Sequence, residues 1–336
     1  MISMKDISER CGVSIATVSK ALNNRSDISA PTRELICNTA REMGYFPNSS
    51  ARALKTNRTY NLGVLFVDAA RSGLKHNYFS QVLDSFKVTT EANGYDITFI
   101  NVNQEFHPMT YLEHSRYRGI DGAVIACVDF KDPQVADLIE SDIPVVTIDC
   151  DHPHASSVIS DNITGMRQLT DYICDSGHRK IAYIFGDDND VTKNRMEGFR
   201  ESLSAHRISL SPEYLLRGKY RDPESAYQHT KELLSAGQPP TCIAYPDDYA
   251  MIGGLNAVFD LNLSIPGDVS IAGYDGLNYT TVFRPPLTTL KQDTEAIGQK
   301  AALELIAQVE SPHRRTYNRI VVKGRLLEGA SVKKLF

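Results

Sequence analysis

Apolar and polar positions follow two different periodicities along the chain, and the change between them comes near residue 60. Before that point apolar residues recur at helical spacing, as Met4, Ile7 and Cys11 do at positions i, i+3 and i+7. From residue 62 onwards, short apolar runs rich in β-branched residues alternate with longer and more polar segments. The pattern predicts a small helical head followed by an α/β body.

Residues that start and stop helices predict three short helices in the head. Gly12 supplies the positive φ that a sharp turn needs after a first helix over residues 4–11. Ser14 is a good N-cap for a second helix over residues 15–22. A third helix is expected over residues 31–43. Because only a short turn joins the first two helices, they predict a helix-turn-helix.

The second helix of a helix-turn-helix enters the major groove of DNA, and its N-terminal residues contact base edges. Ile15 and Ala16 stand there, and their apolar side chains suit a thymine methyl group. The hydroxyl and charged side chains that follow can bond to phosphates or bases. The residues predicted to bind DNA from the head are Ser14, Ile15, Ala16, Thr17, Ser19, Lys20, Asn24 and Arg25. The alternative is an ordinary helix that packs an apolar face through Val18, Ala21 and Leu22.

A second DNA contact is predicted in the stretch SARALK, residues 50–55, which follows a proline that stops the third helix. Arg52 and Lys55 make this short predicted helix basic, and Leu54 has no obvious core to enter. Such a helix fits a minor-groove wedge in which Leu54 opens a base step. The alternative is a plain linker with one loosely packed leucine.

The head and the segment after it carry a family resemblance. The stretches MKDISERCGVSIATVSKALNN and TRELICNTAREMGYFPNSSARALKTNRTYNLGVLF closely resemble the LacI/GalR family of bacterial transcriptional regulators. The resemblance implies a dimer that binds a near-palindromic operator, with two recognition helices in major grooves and paired hinge helices in the central minor groove. It implies that Ile15 and Ala16 set sequence specificity and that Leu54 is the hinge leucine.

Seven apolar runs predict the strands of the body. Those before and after about residue 161 form two sets, which predict two similar lobes, each with a parallel sheet between helices. No GxxxxGK[ST] sequence occurs and no GxGxxG follows a strand, so we expect no nucleotide-phosphate cradle. The runs are LGVLFV (62–67), DITFIN (96–101), GAVIAC (122–127), PVVTID (144–149), KIAYIF (180–185), TCIAYP (241–246) and VSIAGY (269–274).

Ligands of open α/β sheets bind beyond the carboxyl ends of the strands, so polar and aromatic residues at these ends are candidates. Asp149 ends the fourth predicted strand, and Asp275 follows the seventh. Carboxylates, amides, an arginine and aromatic faces together suit a polyhydroxylated ligand. A single Asp in such a position is as often a helix N-cap or a loop residue, and Asp188, Asp190 and Asp247 are most open to that interpretation.

The body shares the family resemblance through RMEGF, PDDYAMIGGL and VSIAGYDG. The resemblance implies a core of the periplasmic-binding-protein type I, in which three crossovers join two Rossmann-like lobes. It aligns Arg195, Asp248 and Asp275 with ligand-contacting positions. The effector-binding residues predicted from strand ends and resemblance together are Tyr78, Phe79, Asp149, Asn189, Arg195, Tyr220, Asp248 and Asp275.

The same comparison bears on the effector and on assembly. Where purine-responsive members have Arg and Thr, this chain has Asn189 and Val191, which argues against a purine and favours a sugar or a sugar phosphate. The sequence ends at Phe336 with no leucine heptad tail, so a homodimer is expected rather than a tetramer.

The charge distribution supports a nucleic-acid partner for the head alone. The net charge of the chain is −5, yet residues 1–60 hold nine Lys and Arg against five Asp and Glu. A basic head on an acidic body points to a polyanion at the head. Hydrophobic residues make up 42% of the chain, enough for a packed core.

Cysteine usage and hydropathy exclude several other classes of protein. The six cysteines have no CxxC spacing, so we expect neither a zinc site nor a disulfide framework, and no metal or cofactor. The first residues, MISMKDISER, contain no apolar segment, and no 18-residue apolar run follows. The expected location is therefore the bacterial cytoplasm, in association with the nucleoid, with no membrane partner.

The sequence as a whole predicts a sequence-specific repressor of a carbohydrate-utilisation operon, controlled by a sugar or sugar phosphate between the lobes. The alternatives are a cytoplasmic solute-binding protein and a carbohydrate-active enzyme on the same two-lobed fold. The predicted domains are a helix-turn-helix domain (1–47), a hinge and linker (48–60), an N-terminal lobe (61–160 plus about 290–318) and a C-terminal lobe (161–289 plus about 319–336).

Overall fold

The computed structural model describes residues 2–23, 25–46, 58–67, 73–101, 108–311 and 316–336. The chain divides into two compact units, Met1–Tyr60 and Asn61–Phe336, which are the head and the body of the sequence analysis. Among the described residues, no helix combines the length and the apolar character that crossing a membrane requires.

The head contains the three predicted helices: α1 (Met4–Cys11), α2 (Ile15–Leu22) and α3 (Ala30–Glu42). The bounds of the first two are those predicted, and the third begins and ends one residue earlier than expected. Gly12 has φ 65°, as the turn required. The Ser14 hydroxyl accepts a hydrogen bond from the Thr17 amide and so caps α2. A capping box between Ser3 and Asp6 starts α1 and was not predicted.

A small core holds the head together. Ile7, Val18 and Ile36, one from each helix, are completely buried, and Ala21 and Ala40 fill the space between the helices. Val18 and Ala21 belong to the face of α2 that was predicted to pack, and they leave the first turn of that helix out of the core.

The body is built from twelve described strands and eight described α-helices. The strands are β1 (Asn61–Phe66), β2 (Asp96–Ile100), β3 (Gly122–Ala126), β4 (Val145–Ile148), β5 (Ser156–Ser160), β6 (Ile181–Phe185), β7 (Leu215–Arg217), β8 (Cys242–Ala244), β9 (Ser270–Asp275), β10 (Thr288–Lys291), β11 (Arg319–Val322) and β12 (Arg325–Leu327). The helices are α4 (Asn77–Ala92), α5 (Tyr111–Tyr117), α6 (Pro133–Ile139), α7 (Asn162–Asp175), α8 (Asp190–Ala205), α9 (Pro223–Ser235), α10 (Asp248–Asp260) and α11 (Thr294–Glu310).

The strands form two six-stranded sheets, one for each lobe. The first has the order β11-β5-β4-β3-β1-β2 and is parallel throughout. The second has the order β12-β10-β9-β8-β6-β7 and is parallel except for β12, which is antiparallel to β10. All seven strands predicted from apolar runs are present, and the two-lobed fold is confirmed. β5, β7, β10, β11 and β12 were not predicted.

Two of the unpredicted strands correct the lobe boundaries. The return to the N-terminal lobe was predicted at about residue 290, but β10 still pairs with β9 in the second sheet. The final return to the C-terminal lobe was predicted at about residue 319, but β11 pairs with β5 in the first sheet. The crossovers therefore follow residues 160, 291 and 322. β11 was missed because its apolar run is only three residues long, Ile320 to Val322, and lies on a partly exposed edge strand.

The close approach of α9 and α10 in the second lobe depends on one glycine. In α10, a Cβ atom at Gly253 would lie 1.8 Å from the carbonyl oxygen of Pro223, the first residue of α9. Because this neighbour is backbone, no side-chain rotation relieves the overlap, and the helices can approach this closely only with glycine here.

We expect Gly253→Ala to lower the free energy of unfolding by about 1–3 kcal/mol, the usual cost of forcing an extra methyl group into a packed site. Gly237→Ala is the matched control, because a Cβ at that exposed position meets nothing within 4 Å. Urea unfolding of the two variants and the parent protein compares the three free energies. Equal stability of the two variants would show that α9 and α10 separate at no cost.

Candidate nucleic-acid interface and effector cleft

The first turn of α2 presents the residues predicted to contact DNA. Ile15 keeps 48% of its surface exposed, and Ala16 is exposed beside it. Thr17 is half-buried, and its hydroxyl lies 2.8 Å from that of Ser14. The alternative role for this helix, packing, falls on Val18 and Ala21 instead. One helix thus packs with one face and leaves the residues predicted to contact DNA on another.

The basic residues of this surface differ in their contacts within the protein. The Lys20 ammonium lies 2.6 Å from the Asp27 carboxylate, and both side chains are more than half exposed. An exposed ion pair of this kind is weak, so a phosphate or guanine can displace Asp27. Arg25 is exposed, and its carbonyl oxygen accepts a hydrogen bond from Arg33. The predicted contacts that lie outside the described residues are Asn24, Arg52, Leu54 and Lys55.

In the body, the cleft between the lobes brings together the predicted residues Tyr78, Asp149, Arg195, Tyr220 and Asp275. Two of them stand at the carboxyl ends of strands, because Asp149 directly follows β4 and Asp275 is the last residue of β9. Both have left-handed backbones, with φ 57° and 106°. A non-glycine residue in this region is strained, and such strain concentrates at functional sites.

Arg195 carries a permanent positive charge into the protein. It projects from α8 with only 4% of its side chain exposed. Its Nε donates to Asn162 Oδ1 at 2.8 Å, and one terminal nitrogen donates to the carbonyl oxygen of Pro246 at 2.7 Å. The guanidinium lies 3.6 Å from the centre of the Tyr274 ring, a cation–π contact. The other terminal nitrogen is 3.9 Å from Asp275 Oδ1.

Asp275 reaches across to the other lobe through Gln292, at the crossover after β10. Gln292 donates from its side-chain nitrogen to Asp275 Oδ1 at 2.7 Å, and its side-chain oxygen accepts from the Ser160 hydroxyl. Burial raises the pKa of Asp275 to about 7, although the nearby Arg195 charge opposes that rise. The carboxyl group therefore changes its charge close to neutral pH.

On the N-terminal side of the cleft, Asp149 continues the same network. Its Oδ2 accepts the Tyr78 hydroxyl at 2.8 Å, and its Oδ1 accepts the Ser160 amide at 3.2 Å. Burial raises the pKa of Asp149 and, together with the adjacent carboxylate, that of Tyr78. Hydrogen bonds thus run from Tyr78 in one lobe to Asp275 in the other.

Aromatic rings line the cleft. The Tyr220 hydroxyl lies 2.8 Å from Thr192 Oγ1, and its ring lies 5.6 Å from the Arg195 guanidinium. Phe79 is buried and packs edge-on against Phe66 and Tyr78, at centroid distances of 5.6 and 4.9 Å. Phe79 therefore supports Tyr78 from behind, rather than forming a wall itself.

Two predicted effector residues have other roles in the structure. Asp248 is completely buried, and its two oxygens accept hydrogen bonds from the Thr289 hydroxyl at 2.6 Å and the Leu277 amide at 2.8 Å. Those bonds fix the turn after β9 and leave Asp248 no surface for a ligand. Asn189 is exposed and caps α8 by accepting from the Thr192 amide at 2.9 Å.

Several residues of the cleft were not predicted as site residues. Asp247 caps α10, as its alternative interpretation held, by accepting from the Ala250 amide at 2.7 Å. Asp247 is also buried, and its negative charge helps to raise the pKa of Asp275. It therefore belongs, with Asp149 and Asp275, to the carboxyl groups of the cleft. The doubled Asp after β8 was a signal for it. The partners Asn162, Ser160 and Gln292 had no comparable signal.

The arrangement is that of a binding site for a polar ligand: one buried guanidinium, several carboxylates and aromatic faces. Within the described ranges, no group of three His, Cys, Asp or Glu side chains is placed to hold a metal ion.

Comparison with known families matches both units of the chain. The sequence profile "Bacterial regulatory proteins, lacI family" matches residues 3–48, the helix-turn-helix head. The profile "Periplasmic binding protein-like domain" matches residues 170–332, which lie within the body.

Individual relatives are similar over the full length. The chain is 29% identical over 339 residues to the probable HTH-type transcriptional repressor ExuR of Bacillus subtilis, covering 100% of this chain and 99% of that one. It is 27% identical over 342 residues to the HTH-type transcriptional repressor PurR of Haemophilus influenzae, covering 100% of both. The structure of the lac repressor dimer bound to operator and the anti-inducer ONPF superposes with a TM-score of 0.81 at 24% identity, covering 99% of each chain.

These relatives are transcriptional repressors, a class of proteins without catalytic activity, so the enzyme and solute-binding alternatives are not favoured. The head thus matches the lacI family of bacterial regulatory proteins and the body a periplasmic binding protein-like domain, and the chain is a DNA-binding transcriptional regulator with a small-molecule effector.

Proposed function

We propose that this regulator is a homodimeric repressor of a carbohydrate-utilisation operon and that its effector is a sugar bound between the lobes. The observation that carries the proposal is the network from Tyr78 through Asp149, Ser160 and Gln292 to Asp275, beside the buried guanidinium of Arg195. It crosses from one lobe to the other, so a ligand that bonds to it senses the position of both.

The chemistry of the cleft suits a sugar. Neighbouring hydroxyl groups of a sugar ring pair with carboxylate and guanidinium groups, while its apolar face packs on aromatic rings such as Tyr220. Relatives named for different regulons are similar to this chain at 29% and 27% identity, so overall similarity does not select the effector. Asn189 serves as the cap of α8 and Val191 is half-buried, which offers little to the polar edges of a purine.

The head supplies operator recognition in the proposal. Two copies of α2 would read two half-sites of a near-palindromic operator from adjacent major grooves, as dimeric helix-turn-helix proteins do. Arg52, Leu54 and Lys55 remain the predicted minor-groove contacts. Phosphate contacts would supply much of the affinity and make it steeply dependent on salt. Such a protein works in the cytoplasm, at the bacterial nucleoid.

Effector and operator are coupled in this proposal through the geometry of the lobes. A sugar that bonds to Asp149 and Asp275 stabilises one spacing of the two lobes, and the operator-bound dimer stabilises its own preferred spacing. The coupling is reciprocal, so operator DNA changes the affinity for the sugar by the same factor as the sugar changes the affinity for the operator.

Selection of random duplex DNA by the full-length protein, with sequencing of the bound pool, tests the function directly. The expected result is enrichment of a two-fold palindrome with a flexible central step, because two recognition helices read it symmetrically. The selection is run with and without a mixture of sugars, since the mixture supplies any required corepressor. Weak, salt-sensitive binding with no enrichment in both cases would reject operator recognition by the head.

We expect Ile15→Ser to weaken binding to the selected operator about tenfold and to leave binding to random duplex unchanged, because an apolar contact to a base is lost while phosphate contacts remain. Leu35→Ser is the matched control: Leu35 is 53% exposed on α3, outside the predicted contact surface. Fluorescence anisotropy on both DNAs measures the six affinities of the two variants and the parent protein. An equal loss on operator and random DNA would contradict base contact by Ile15.

We expect Asp275→Asn to be more stable than the parent at pH 8 by about 1 kcal/mol or more, and the difference to shrink at pH 5. The folded pKa of about 7 exceeds the ordinary value of 3.8, so the stability that protonation contributes is complete below about pH 4 and is lost as pH rises through 7. Asn keeps an oxygen for the Gln292 donor and carries no charge. Urea unfolding at both pH values measures the difference, with Asp96→Asn at the exposed start of β2 as the control. A pH-independent difference would contradict the raised pKa.

A further inference from the structure

We infer that the cleft selects an uncharged polyhydroxylated ring and rejects the phosphorylated and carboxylated forms of the same ring. The inference rests on the proposed sugar effector and narrows it, because both charged and uncharged sugars fit that proposal. Two observations on the described residues support it: carboxyl groups outnumber cations around the network that joins the lobes, and the buried cation already donates hydrogen bonds to the protein.

Carboxyl groups outnumber cations in the described part of the cleft. Asp149, Asp247 and Asp275 surround one buried guanidinium, Arg195, and the Coulombic influence of Arg195 reaches all three of them. Arg221 lies beside Asp247 through its backbone amide, but its guanidinium stands 5.3 Å from the ring of Tyr249.

Two of the three nitrogen atoms of the buried cation already donate to protein acceptors. Nε of Arg195 donates to Asn162 Oδ1 at 2.8 Å and one terminal nitrogen donates to the Pro246 carbonyl oxygen at 2.7 Å, while the other terminal nitrogen lies 3.9 Å from Asp275 Oδ1, beyond hydrogen-bond distance. An anionic group that displaced Asn162 or Pro246 from the guanidinium would leave a buried protein oxygen without its donor, which is costly. A sugar hydroxyl can instead bridge Arg195 and Asp275, because it both accepts and donates.

An anion would also meet repulsion from Asp149 and, above about pH 7, from ionised Asp275. Hydrogen bonds to Tyr78 and Gln292 hold the two carboxyl groups in place. Charges in a partly buried cleft are screened much less than charges in water, so a carboxylate or phosphate placed among them binds at least tenfold more weakly than its neutral counterpart.

Matched sets of sugars separate charge from shape. The first screen is a thermal-shift assay of the full-length protein with neutral sugars, sugar phosphates, uronates and the corresponding uronamides. A uronamide has nearly the shape of the uronate and no charge, and it is therefore the control for size. Calorimetry then gives the dissociation constants of every set with a binding member. The expected result is that the neutral sugar and the uronamide bind within a few-fold of each other, and that the uronate and the 6-phosphate bind at least tenfold more weakly.

Binding of a uronate or a sugar phosphate as tight as that of its neutral counterpart overturns the charge selection and leaves the sugar effector standing. If no sugar, neutral or charged, shifts the melting temperature, the sugar effector itself is rejected, and this inference depends on it. The two failures are thus distinguishable by the class of ligand that binds.

A variant tests whether the carboxylates cause the selection. We expect Asp149→Asn to reduce the neutral-to-anionic affinity ratio about tenfold, because it removes one charge and keeps the shape. Asn can still accept the Ser160 amide, and the Tyr78 hydroxyl can accept from its nitrogen. Asp96→Asn, at the exposed start of β2 in the same lobe, should leave the ratio unchanged. An unchanged ratio in a folded Asp149→Asn protein would assign the selection to shape and overturn the electrostatic account.

Discussion

The body of this regulator is organised around the need to satisfy one buried charge. A guanidinium cannot lose its proton inside a protein, so Arg195 must find acceptors or stay in water. Its partners come from separate parts of the lobe: the acceptor Asn162 begins α7, the acceptor Pro246 follows β8, and Asp275, an ion-pair partner at 3.9 Å, ends β9. Tyr274, one residue earlier on β9, supplies a ring for its face. Satisfying this charge therefore fixes the carboxyl ends of two neighbouring strands and the start of the crossover helix.

The same set of bonds places the predicted effector residues beside the connections between the lobes. Ser160 ends β5 just before the first crossover and Gln292 directly follows the second, and their side chains are joined by a hydrogen bond. Asp149 and Asp275 are attached to them from the two lobes. In the proposed function, a ligand that changes the bonding of either carboxylate therefore acts beside two of the segments that connect the lobes.

Local chemistry made the head easy to predict and left parts of the body hidden. The bounds of α1 and α2 follow from Gly12 and Ser14, which act on their immediate neighbours. The seven apolar runs are strands that lie mostly inside their sheets, where both faces are covered. The edge strands β7, β11 and β12 are short and half-exposed, and their apolar runs of two or three residues are too short to predict a strand. The network residues Ser160 and Gln292 are ordinary polar residues whose partners lie far along the chain.

The acidic residues of the cleft show which information a sequence lacks. Asp247 and Asp248 are adjacent aspartates with different structural roles. Because a helix starts between them, Asp247 is its N-cap and Asp248 is its first residue, buried inside the lobe. Both oxygens of each accept hydrogen bonds from the protein. Asp275 differs, since its side-chain contacts with Gln292 and Arg195 both fall on Oδ1 while 12% of the side chain is exposed. A buried carboxylate is costly unless its oxygens are satisfied, and the folded chain satisfies Asp247 and Asp248 by itself. Asp275 retains an oxygen that can accept a hydrogen bond from a ligand hydroxyl. The carboxylates that shape the site therefore differ from the one that is open to a ligand in how many of their oxygens the protein already occupies, more than in residue type or position in a motif.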